Sequence, residues 1–218
     1  ARVPGAVPFQ PHAAQPVVHI KEAEHHREHH SLDRRIDMTE PLPSAEVFIA
    51  TSLDGFIARP DGDIEWLVGR PTPEGEDFGY ATFMDGIGAL VMGRQSFDKV
   101  VNSPEWPYPV PVMVLSRSPG AVKVPEALRE KVRVTSAAPA DLLRDLGTQG
   151  VRRVYIDGGQ VVRAFLAAGL IRRMIVTLIP VLLGEGRPLC GHGAGDVELN
   201  LVAVQQFANG FVEVEYRA

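Results

Sequence analysis

The chain of 218 residues contains very little cysteine and, beyond its first segment, very little histidine. Cys190 is the only cysteine, so no disulfide can form within the chain, and we expect a reducing compartment, the cytoplasm. His192 is the only histidine after residue 37, so a Ser-His-Asp or Cys-His site would have to use this residue or the first segment. The zinc deaminase signature, H-x-E combined with P-C-x-x-C, is absent. These absences predict that any chemistry in this chain depends on a bound cofactor.

A charge excess and long apolar runs are absent too. The 22 basic and 27 acidic residues give a formal net charge of -5, and no long basic stretch indicates binding to nucleic acid. No apolar run approaches the roughly 20 residues that span a bilayer, so we expect no contact with a membrane. The G-x-G-x-x-G pattern is missing, which excludes the ordinary Rossmann dinucleotide fingerprint.

Residues 1–37 differ in composition from the rest of the chain. They contain several prolines, a histidine-rich run at 25–30, and five basic residues balanced by five acidic ones. No apolar stretch follows a basic start, so the segment is not a secretory signal. The histidines could bind zinc or nickel, but we favour a solvated tail, because no acidic or cysteine partner follows at a fixed ligand spacing. We predict a disordered, dispensable extension over 1–37, no metal site, and one domain over 38–218.

Strands and helices are predicted to alternate along the domain. Short apolar runs indicate buried strands, and amphipathic stretches between them indicate helices. A long loop is predicted over 52–75, and Asn209-Gly210 favours a terminal hairpin over 199–216. The alternation is typical of an α/β fold with a mainly parallel sheet. The predicted strands are 47–50, 89–92, 110–115, 132–134, 153–156 and 173–179, and the predicted helices are 77–84, 93–101, 140–146 and 161–168.

Three predicted strands end in residues that suit an anion. Gly93-Arg94-Gln95-Ser96, Ser116-Arg117 and Gly158-Gly159-Gln160 each follow a buried strand, and the first and last open a helix. Ligands of parallel sheets bind at the carboxyl ends of strands, and helix N-termini favour phosphate. Taken alone, each turn is more typical of a helix cap or a tight turn. Together they predict a dinucleotide phosphate site, whereas the glycines at 191–195 are interpreted as a linker.

Five ordered segments carry a resemblance to a known family. These are 52–58, 91–97, 115–117, 157–159 and 180–189. They resemble the dihydrofolate-reductase-like proteins of the RibD C-terminal domain type, the reductase module of riboflavin biosynthesis, from about residue 45 to 216. The resemblance implies a dihydrofolate-reductase-like fold, in which helices flank a mainly parallel central sheet that ends in an antiparallel hairpin. It also implies an NADPH-dependent reductase of a small heterocyclic substrate.

The resemblance implies cofactor contacts at twelve positions. Arg94 would lie near the ribose 2′-phosphate, and Ser116 with Arg117 would complete that phosphate site. Ala50 and Ile57 match positions that touch the nicotinamide, and the loop after residue 54 would close over the ring. The implied contacts are Ala50, Ile57, Gly93, Arg94, Gln95, Ser96, Ser116, Arg117, Gly158, Gly159, Gln160 and Val161.

Asp77 is the predicted catalytic acid. It lies 16 residues before Gly93, the spacing at which dihydrofolate reductases carry the acid that fixes their substrate. A partly desolvated carboxyl there would have a raised pKa and could pass a proton. The alternative is a helix cap, because Asp is a favoured N-cap residue. Trp66 and Trp106 are expected either to line the substrate pocket or to serve packing.

Two questions stay open at the level of the sequence. The first is whether the protein is a reductase, of the riboflavin pathway or of dihydrofolate type, or a non-catalytic NADPH-binding sensor. The second is how the chain associates. The resemblance implies a homodimer, and residues 173–179 and the terminal hairpin are the predicted surfaces, because exposed edge strands need covering.

Overall fold

A computed structural model describes residues 41–191 and 195–218. The predicted extension at 1–37 and His192 lie outside these residues. The strands are β1 Ser44–Ser52, β2 Phe56–Ala58, β3 Ala89–Gly93, β4 Val112–Leu115, β5 Val132–Thr135, β6 Arg153–Asp157, β7 Ile171–Ile179, β8 Arg187–Pro188, β9 Asn200–Gln206 and β10 Val212–Arg217. The helices are α1 Glu65–Val68, α2 Tyr80–Met84, α3 Arg94–Val100, α4 Pro139–Thr148 and α5 Gly159–Ala167.

Eight strands form one sheet in the order β5-β4-β3-β6-β1-β7-β10-β9. The six strands from β5 to β7 pair in parallel. β10 then runs antiparallel to β7, and β9 runs antiparallel to β10. Strands β2 and β8 form a separate two-stranded sheet. The predicted fold class, a mainly parallel sheet with helices and a C-terminal antiparallel hairpin, is confirmed.

Both faces of the parallel part of the sheet are buried, which explains why its central strands are continuous apolar runs. On one face the leucines of α4 and the side chains Val162 and Phe165 of α5 pack against Val154 and Ile156. On the other face Phe83 and Phe97, from α2 and α3, pack against strands β3, β4 and β6. Helices therefore leave the sheet on opposite sides, and this division positions the candidate site.

Three local predictions need correction. The loop predicted over 52–75 contains β2 and α1, short elements that depend on tertiary contacts rather than on their own periodicity. α2 begins at Tyr80, because the carboxylate of Asp77 caps the preceding turn by accepting the N–H groups of Gly79 and Ala81. α4 runs through Gly147, and Gly150 takes the left-handed conformation that ends helices, with φ of 84°.

The terminal hairpin is present, and the homodimer stays a prediction. Gly210 has φ of 84°, and the Phe207 N–H donates to the Phe211 carbonyl at 2.9 Å. β7 lies between β1 and β10 and is not an edge strand, so the edge expected at 173–179 is absent, and the terminal hairpin supplies the edge instead. The exposed edge on this side is β9. Among the described residues, no helix is long and apolar enough to cross a membrane.

Candidate active site

A crevice opens where the helices after two neighbouring strands pass to opposite faces of the sheet. β3 and β6 are paired, and Met92 lies beside Asp157 at their carboxyl ends. α3 follows β3 onto one face, whereas α5 follows β6 onto the other. Such a topological switch point is where open α/β sheets bind ligands. We call this feature, formed by Gly93, Ser96, Asp157 and Gly158, the switch crevice.

The two turns that form the switch crevice are in direct contact. Gly158 has φ of 84°, and a Cβ added there would lie 2.6 Å from Ser96 Oγ. A Cβ on Gly93 would lie 3.4 Å from a methyl group of Val161. The Ser96 hydroxyl has no hydrogen-bond partner among the described residues, and no described side chain caps the N-terminus of α5. The crevice therefore presents a hydroxyl and helix N–H groups that a ligand can use.

Two arginines follow adjacent strands beside this crevice. Gly93 pairs with Leu115, so Arg94 and Ser116 begin their turns side by side. Arg94 is exposed and forms an ion pair with Asp98 at 3.3 Å. Arg117 is exposed and has no ion-pair or hydrogen-bond partner within 41–191 and 195–218. The Arg117 guanidinium is thus available to a dianion at this edge of the sheet, whereas Arg94 would have to leave Asp98 to bind one.

Gly159 has a packing role within the protein. It is buried, and a Cβ there would lie 2.8 Å from the Pro188 carbonyl oxygen and 3.1 Å from Ile57 Cδ1. Gln160, the next residue, is exposed in the first turn of α5. The contact places Ile57 directly over the start of α5, so the structure brings these predicted site residues together.

Residues 52–63, which we call the flap, are fixed to the segment 180–189. Asp54 accepts N–H groups from Leu183 at 3.0 Å and Gly184 at 2.7 Å, and the Ser52 hydroxyl donates to it at 2.6 Å. These hydrogen bonds, the one from Ser52 foremost, lower the pKa of Asp54. Arg187 donates to Gln95 Oε1 and to the Pro60 carbonyl, each at 3.2 Å. The flap is therefore closed over the switch crevice.

A gap separates β1 from β6 beyond the start of the two strands. β1 pairs with β7 as far as Ser52, but with β6 only from Ser44 to Glu46. The Tyr155 hydroxyl donates to the Phe48 carbonyl at 2.8 Å, which satisfies this carbonyl where strand pairing has stopped. Because backbone polar groups alternate along a strand, those of Ala50 also point toward the gap.

A cavity of about 290 Å³ adjoins this gap. We call it the aromatic cavity. Its lining combines side chains of the sheet with side chains of the segment between the flap and α2. The residues are Phe48, Ala50, Thr177, Ile179 and Phe211 on the sheet side, and Leu67, Val68, Thr72, Asp77, Phe78 and Tyr80 on the other.

Asp77 lies in this lining, as predicted for a substrate contact. It is exposed, and its two carboxylate oxygens accept the N–H groups of Gly79 and Ala81, each at 2.9 Å. The desolvation that an acid–base role requires is therefore not seen at this residue. The catalytic role of Asp77 stays a prediction, and the geometry adds the capping role that the sequence left open.

The acid that sequence reasoning missed is Asp157. Burial raises the pKa of Asp157 to about 6, although a hydrogen bond from the Gly158 N–H acts in the opposite direction. Burial, and then the charge of Asp157, raise the pKa of Tyr80, which lines the aromatic cavity, and also that of Tyr108. Asp157 belongs to the switch crevice, and its charge acts on Tyr80 of the cavity lining. Its position, at a strand end before a glycine pair, was the available signal.

The two tryptophans serve packing. Trp66 is buried against Ile179, Phe207 and Phe211, and Trp106 packs against Phe97 and Tyr108. Neither lines the aromatic cavity. Of the two alternatives that the sequence left open for them, the structure therefore favours packing.

Residues 43–212 match the model of the RibD C-terminal domain family. YwjB of Bacillus subtilis, an uncharacterized protein, is 33% identical over 176 residues, which cover 78% of this chain and 95% of YwjB. YyaP of the same organism, also uncharacterized, is 25% identical, with 82% of this chain and 98% of YyaP covered.

Solved structures agree with this match. A Shewanella sp. PV-4 protein named for riboflavin biosynthesis has a TM-score of 0.74 and 36% identity, covering 80% of this chain and 98% of its own. A Thermotoga maritima diaminohydroxyphosphoribosylaminopyrimidine deaminase/5-amino-6-(5-phosphoribosylamino)uracil reductase has a TM-score of 0.62 and 18% identity, covering 81% of this chain and 56% of its own. At 18% identity, the similarity to the Thermotoga maritima structure supports the fold alone.

Proposed function

Because this chain belongs to the RibD C-terminal domain family, we propose that it is an NADPH-dependent reductase of a small heterocyclic substrate. One observation carries the proposal. The switch crevice, which suits a dinucleotide phosphate, lies at the carboxyl ends of β3 and β6, and Ala50, at the gap between β6 and β1, lines the aromatic cavity. A cofactor that extends from the crevice to the gap would therefore meet a substrate ring there. Asp157, an acid with a raised pKa, lies at the end of β6 in this crevice.

The residues of the switch crevice fit a dinucleotide. Ser96 and the start of α5 would hold the phosphates, because they offer a hydroxyl without a partner and N–H groups that no described side chain caps. Gly158 keeps this turn narrow, since any side chain there would displace Ser96. Arg94 and Arg117 would bind the 2′-phosphate, and forked guanidinium donors suit that group.

The nicotinamide would lie in the gap beside Ala50, beneath Ile57 of the flap. When bound, NADPH supplies a hydride to the substrate. The flap excludes water from this region, because Arg187 and Lys99 fix it to α3 through Gln95 and the Gly62 carbonyl. Ala50, which belongs to the cavity lining as well, places the substrate ring next to the cofactor.

The chain's own contribution to the chemistry is a proton. With a pKa of about 6, Asp157 is protonated in roughly a tenth of the molecules at neutral pH and can be reprotonated readily from solvent. Asp77, exposed at the cavity and held by two backbone hydrogen bonds, is suited to orient the substrate as a fixed hydrogen-bond acceptor. We therefore propose Asp157 as the proton donor and Asp77 as the orienting residue.

A titration of the purified protein with NADPH and NADH, followed by nicotinamide fluorescence, tests the proposal. We expect NADPH to bind at least tenfold more tightly, about 1.4 kcal/mol, because of the two arginines. Equal affinity would contradict the assignment of the phosphate site. Tight binding without NADPH oxidation by any reducible heterocycle would instead favour a non-catalytic, cofactor-sensing protein.

A further inference from the structure

We propose that Arg187 is a positioning residue that ties the flap to the cofactor site, so that the flap must leave α3 before NADPH dissociates. The inference rests on the proposed function, because it takes the first turn of α3 as part of the phosphate site. It adds a residue that the predicted set of cofactor contacts does not contain. Three features carry it: the closed tip of the flap, the two bonds of the Arg187 guanidinium, and the place of Gln95 in α3.

Residues 59–63, which we call the flap tip, form a turn that is closed by its own hydrogen bonds. The Arg59 N–H donates to the Asp63 carbonyl at 2.9 Å, and the Gly62 N–H donates to the Arg59 carbonyl at 2.8 Å. The side chains of Arg59 and Asp63 also form an ion pair at 3.5 Å. These bonds lie within the tip and do not attach it to the rest of the protein. Attachment depends on the carbonyls of Pro60 and Gly62, each of which accepts a hydrogen bond from a cationic side chain.

Arg187 contacts the flap tip at Pro60 and Gly62. Its Nε donates to the Pro60 carbonyl at 3.2 Å. A Cβ added to Gly62 would lie 3.0 Å from Cζ and Nη1 of Arg187 and 3.1 Å from Nη2. Because these three distances are nearly equal, the guanidinium presents its flat face to Gly62. This glycine is buried and has φ of 90°, so the position requires glycine both for its left-handed backbone and for the lack of space for a side chain.

The other end of the Arg187 guanidinium is bound to α3. Its Nη1 donates to Gln95 Oε1 at 3.2 Å. Gln95 is the second residue of α3, between Arg94 and Ser96, which are proposed to bind the cofactor phosphates. An amide side chain has an acceptor oxygen and two N–H donors, so Gln95 can hold Arg187 through its oxygen and donate to a phosphate through its nitrogen. A bound cofactor would then be linked to the flap tip through two side chains.

Strand β8 keeps Arg187 in place independently of the flap tip. Arg187 lies opposite Ala58 in the pairing of β8 with β2, and Arg163 of α5 donates to the Pro188 carbonyl at 2.6 Å. Loss of the Arg187 guanidinium would therefore leave β8 attached to α5 and loosen the flap tip. The flap tip would then be bound to α3 by the flexible side chain of Lys99.

A direct bond from Arg187 to a cofactor phosphate is the alternative role, because Arg187 has no carboxylate partner among residues 41–191 and 195–218. The geometry favours the positioning role, since the guanidinium already donates to two oxygens of the protein and Gly62 covers one of its faces. The two roles differ in one consequence. A positioning residue acts through Gln95, whereas a direct ligand acts without it.

Stopped-flow fluorescence of NADPH binding to the full chain tests the inference. Arg187→Gln should raise the dissociation rate constant about tenfold and change the association rate constant less than about twofold, because most contacts of this kind act on dissociation. In a Gln95→Ala background the same substitution should raise dissociation by less than about twofold, since the bond that it removes is already absent. Arg187→Lys should not restore the slow rate, because an ammonium group cannot bridge two acceptors as a planar guanidinium does.

Two further measurements address the flap tip itself. Gly62→Ala places a methyl group under the guanidinium and should also raise the dissociation rate constant about tenfold, whereas Gly150→Ala, with φ of 84° and open space around the added Cβ, should not change it. Hydrogen exchange of the cofactor-free protein, followed by mass spectrometry, should show faster exchange of peptides covering 53–63 in Arg187→Gln than in the wild type. Thermal melts confirm that each variant is folded.

Three results would overturn the inference. One is a dissociation rate constant that neither Arg187→Gln nor Gly62→Ala raises, and another is flap exchange that Arg187→Gln leaves unchanged. The third is an effect of Arg187→Gln that persists in the Gln95→Ala background or that Arg187→Lys reverses, which would identify Arg187 as a direct phosphate ligand. A wild type that binds no NADPH would contradict the proposed function, whereas one that binds NADPH at rates independent of Arg187 would contradict this inference alone.

Discussion

The switch crevice and the aromatic cavity are built on different principles. The crevice consists of two strand-to-helix turns, each continuous in sequence, and the exposed arginines 94 and 117 lie beside it. The cavity is assembled from separate segments between Phe48 and Phe211, and its charged side chain is a carboxylate. The difference teaches that the site is divided by charge, with a basic half for the cofactor phosphates and an acidic, aromatic half for the substrate.

Replacing each of the two acids, Asp157 and Asp77, with asparagine tests this division most strongly. With a substrate that oxidises NADPH, Asp157→Asn should lower kcat about 100-fold, the usual scale for a lost acid–base group. Asp77→Asn should mainly raise KM, because its role is to orient the substrate. Steady-state kinetics across pH check both, and the wild-type limb near the Asp157 pKa of about 6 should vanish in Asp157→Asn. The reverse pattern of effects would identify Asp77 as the proton donor instead of Asp157.

Asp157 should also affect stability with a defined sign. Its folded pKa is raised above the unfolded value of 3.8 to about 6, so the native state binds the proton more tightly and ionisation destabilises the fold. The cost is absent below about pH 4 and complete above about pH 7. Asp157→Asn should therefore raise the unfolding free energy by up to about 3 kcal/mol at about pH 8 and hardly at about pH 4. Urea unfolding at the two pH values measures this, and a pH-independent difference would contradict it.

The narrowness of the switch crevice is tested at a glycine. Gly158→Ala adds a methyl group 2.6 Å from Ser96 Oγ, at a φ of 84°, and should weaken NADPH binding about tenfold or more. Gly150→Ala is the matched control, since Gly150 has the same φ but no atom within 4 Å of the added Cβ. Both variants should lose about 1 to 2 kcal/mol of stability from strain. An equal effect of the two on NADPH affinity would remove Gly158 from the cofactor site.

The basic half of the division is tested by Arg117→Ala. Loss of one guanidinium from the 2′-phosphate should weaken NADPH binding about fivefold to tenfold and leave NADH unchanged, since a hydrogen bond to a charged group contributes about 1.5 kcal/mol. Fluorescence titration measures both cofactors. Arg129→Ala, at an exposed arginine paired with Glu126, is the control and should change neither affinity.

The edge strand β9 lies outside both halves of the site, and its effect is on association of the chain. All seven residues of the edge strand β9 are exposed, none is charged, and Leu201 and Val204 are each 59% exposed. An exposed apolar edge strand of this kind favours pairing with a strand of another chain. We therefore still expect a homodimer, with its interface at β9. Light scattering should give a dimer mass for the wild type and a monomer for Val204→Lys, whereas Ala164→Lys on the exposed face of α5 should stay dimeric. A monomeric wild type would contradict this.

The sequence predicted the crevice better than the cavity for a physical reason. Gly93, Arg94 and Gly158 stand directly after buried apolar strands, so a local pattern places them at one edge of a parallel sheet. The cavity depends on contacts among distant segments, and the raised pKa of Asp157 depends on its burial in the folded protein, which no local pattern shows. Asp77 was found by spacing, but its exposure and capping bonds became visible only in the fold.

A crystal structure of the protein with NADPH tests the central claim most directly. The account predicts that the phosphates lie between Ser96 and Gly158, that the 2′-phosphate lies within reach of Arg94 and Arg117, and that the nicotinamide lies beside Ala50 and faces the aromatic cavity. A dinucleotide bound with its phosphates away from the switch crevice, or with its nicotinamide turned away from the cavity, would contradict it.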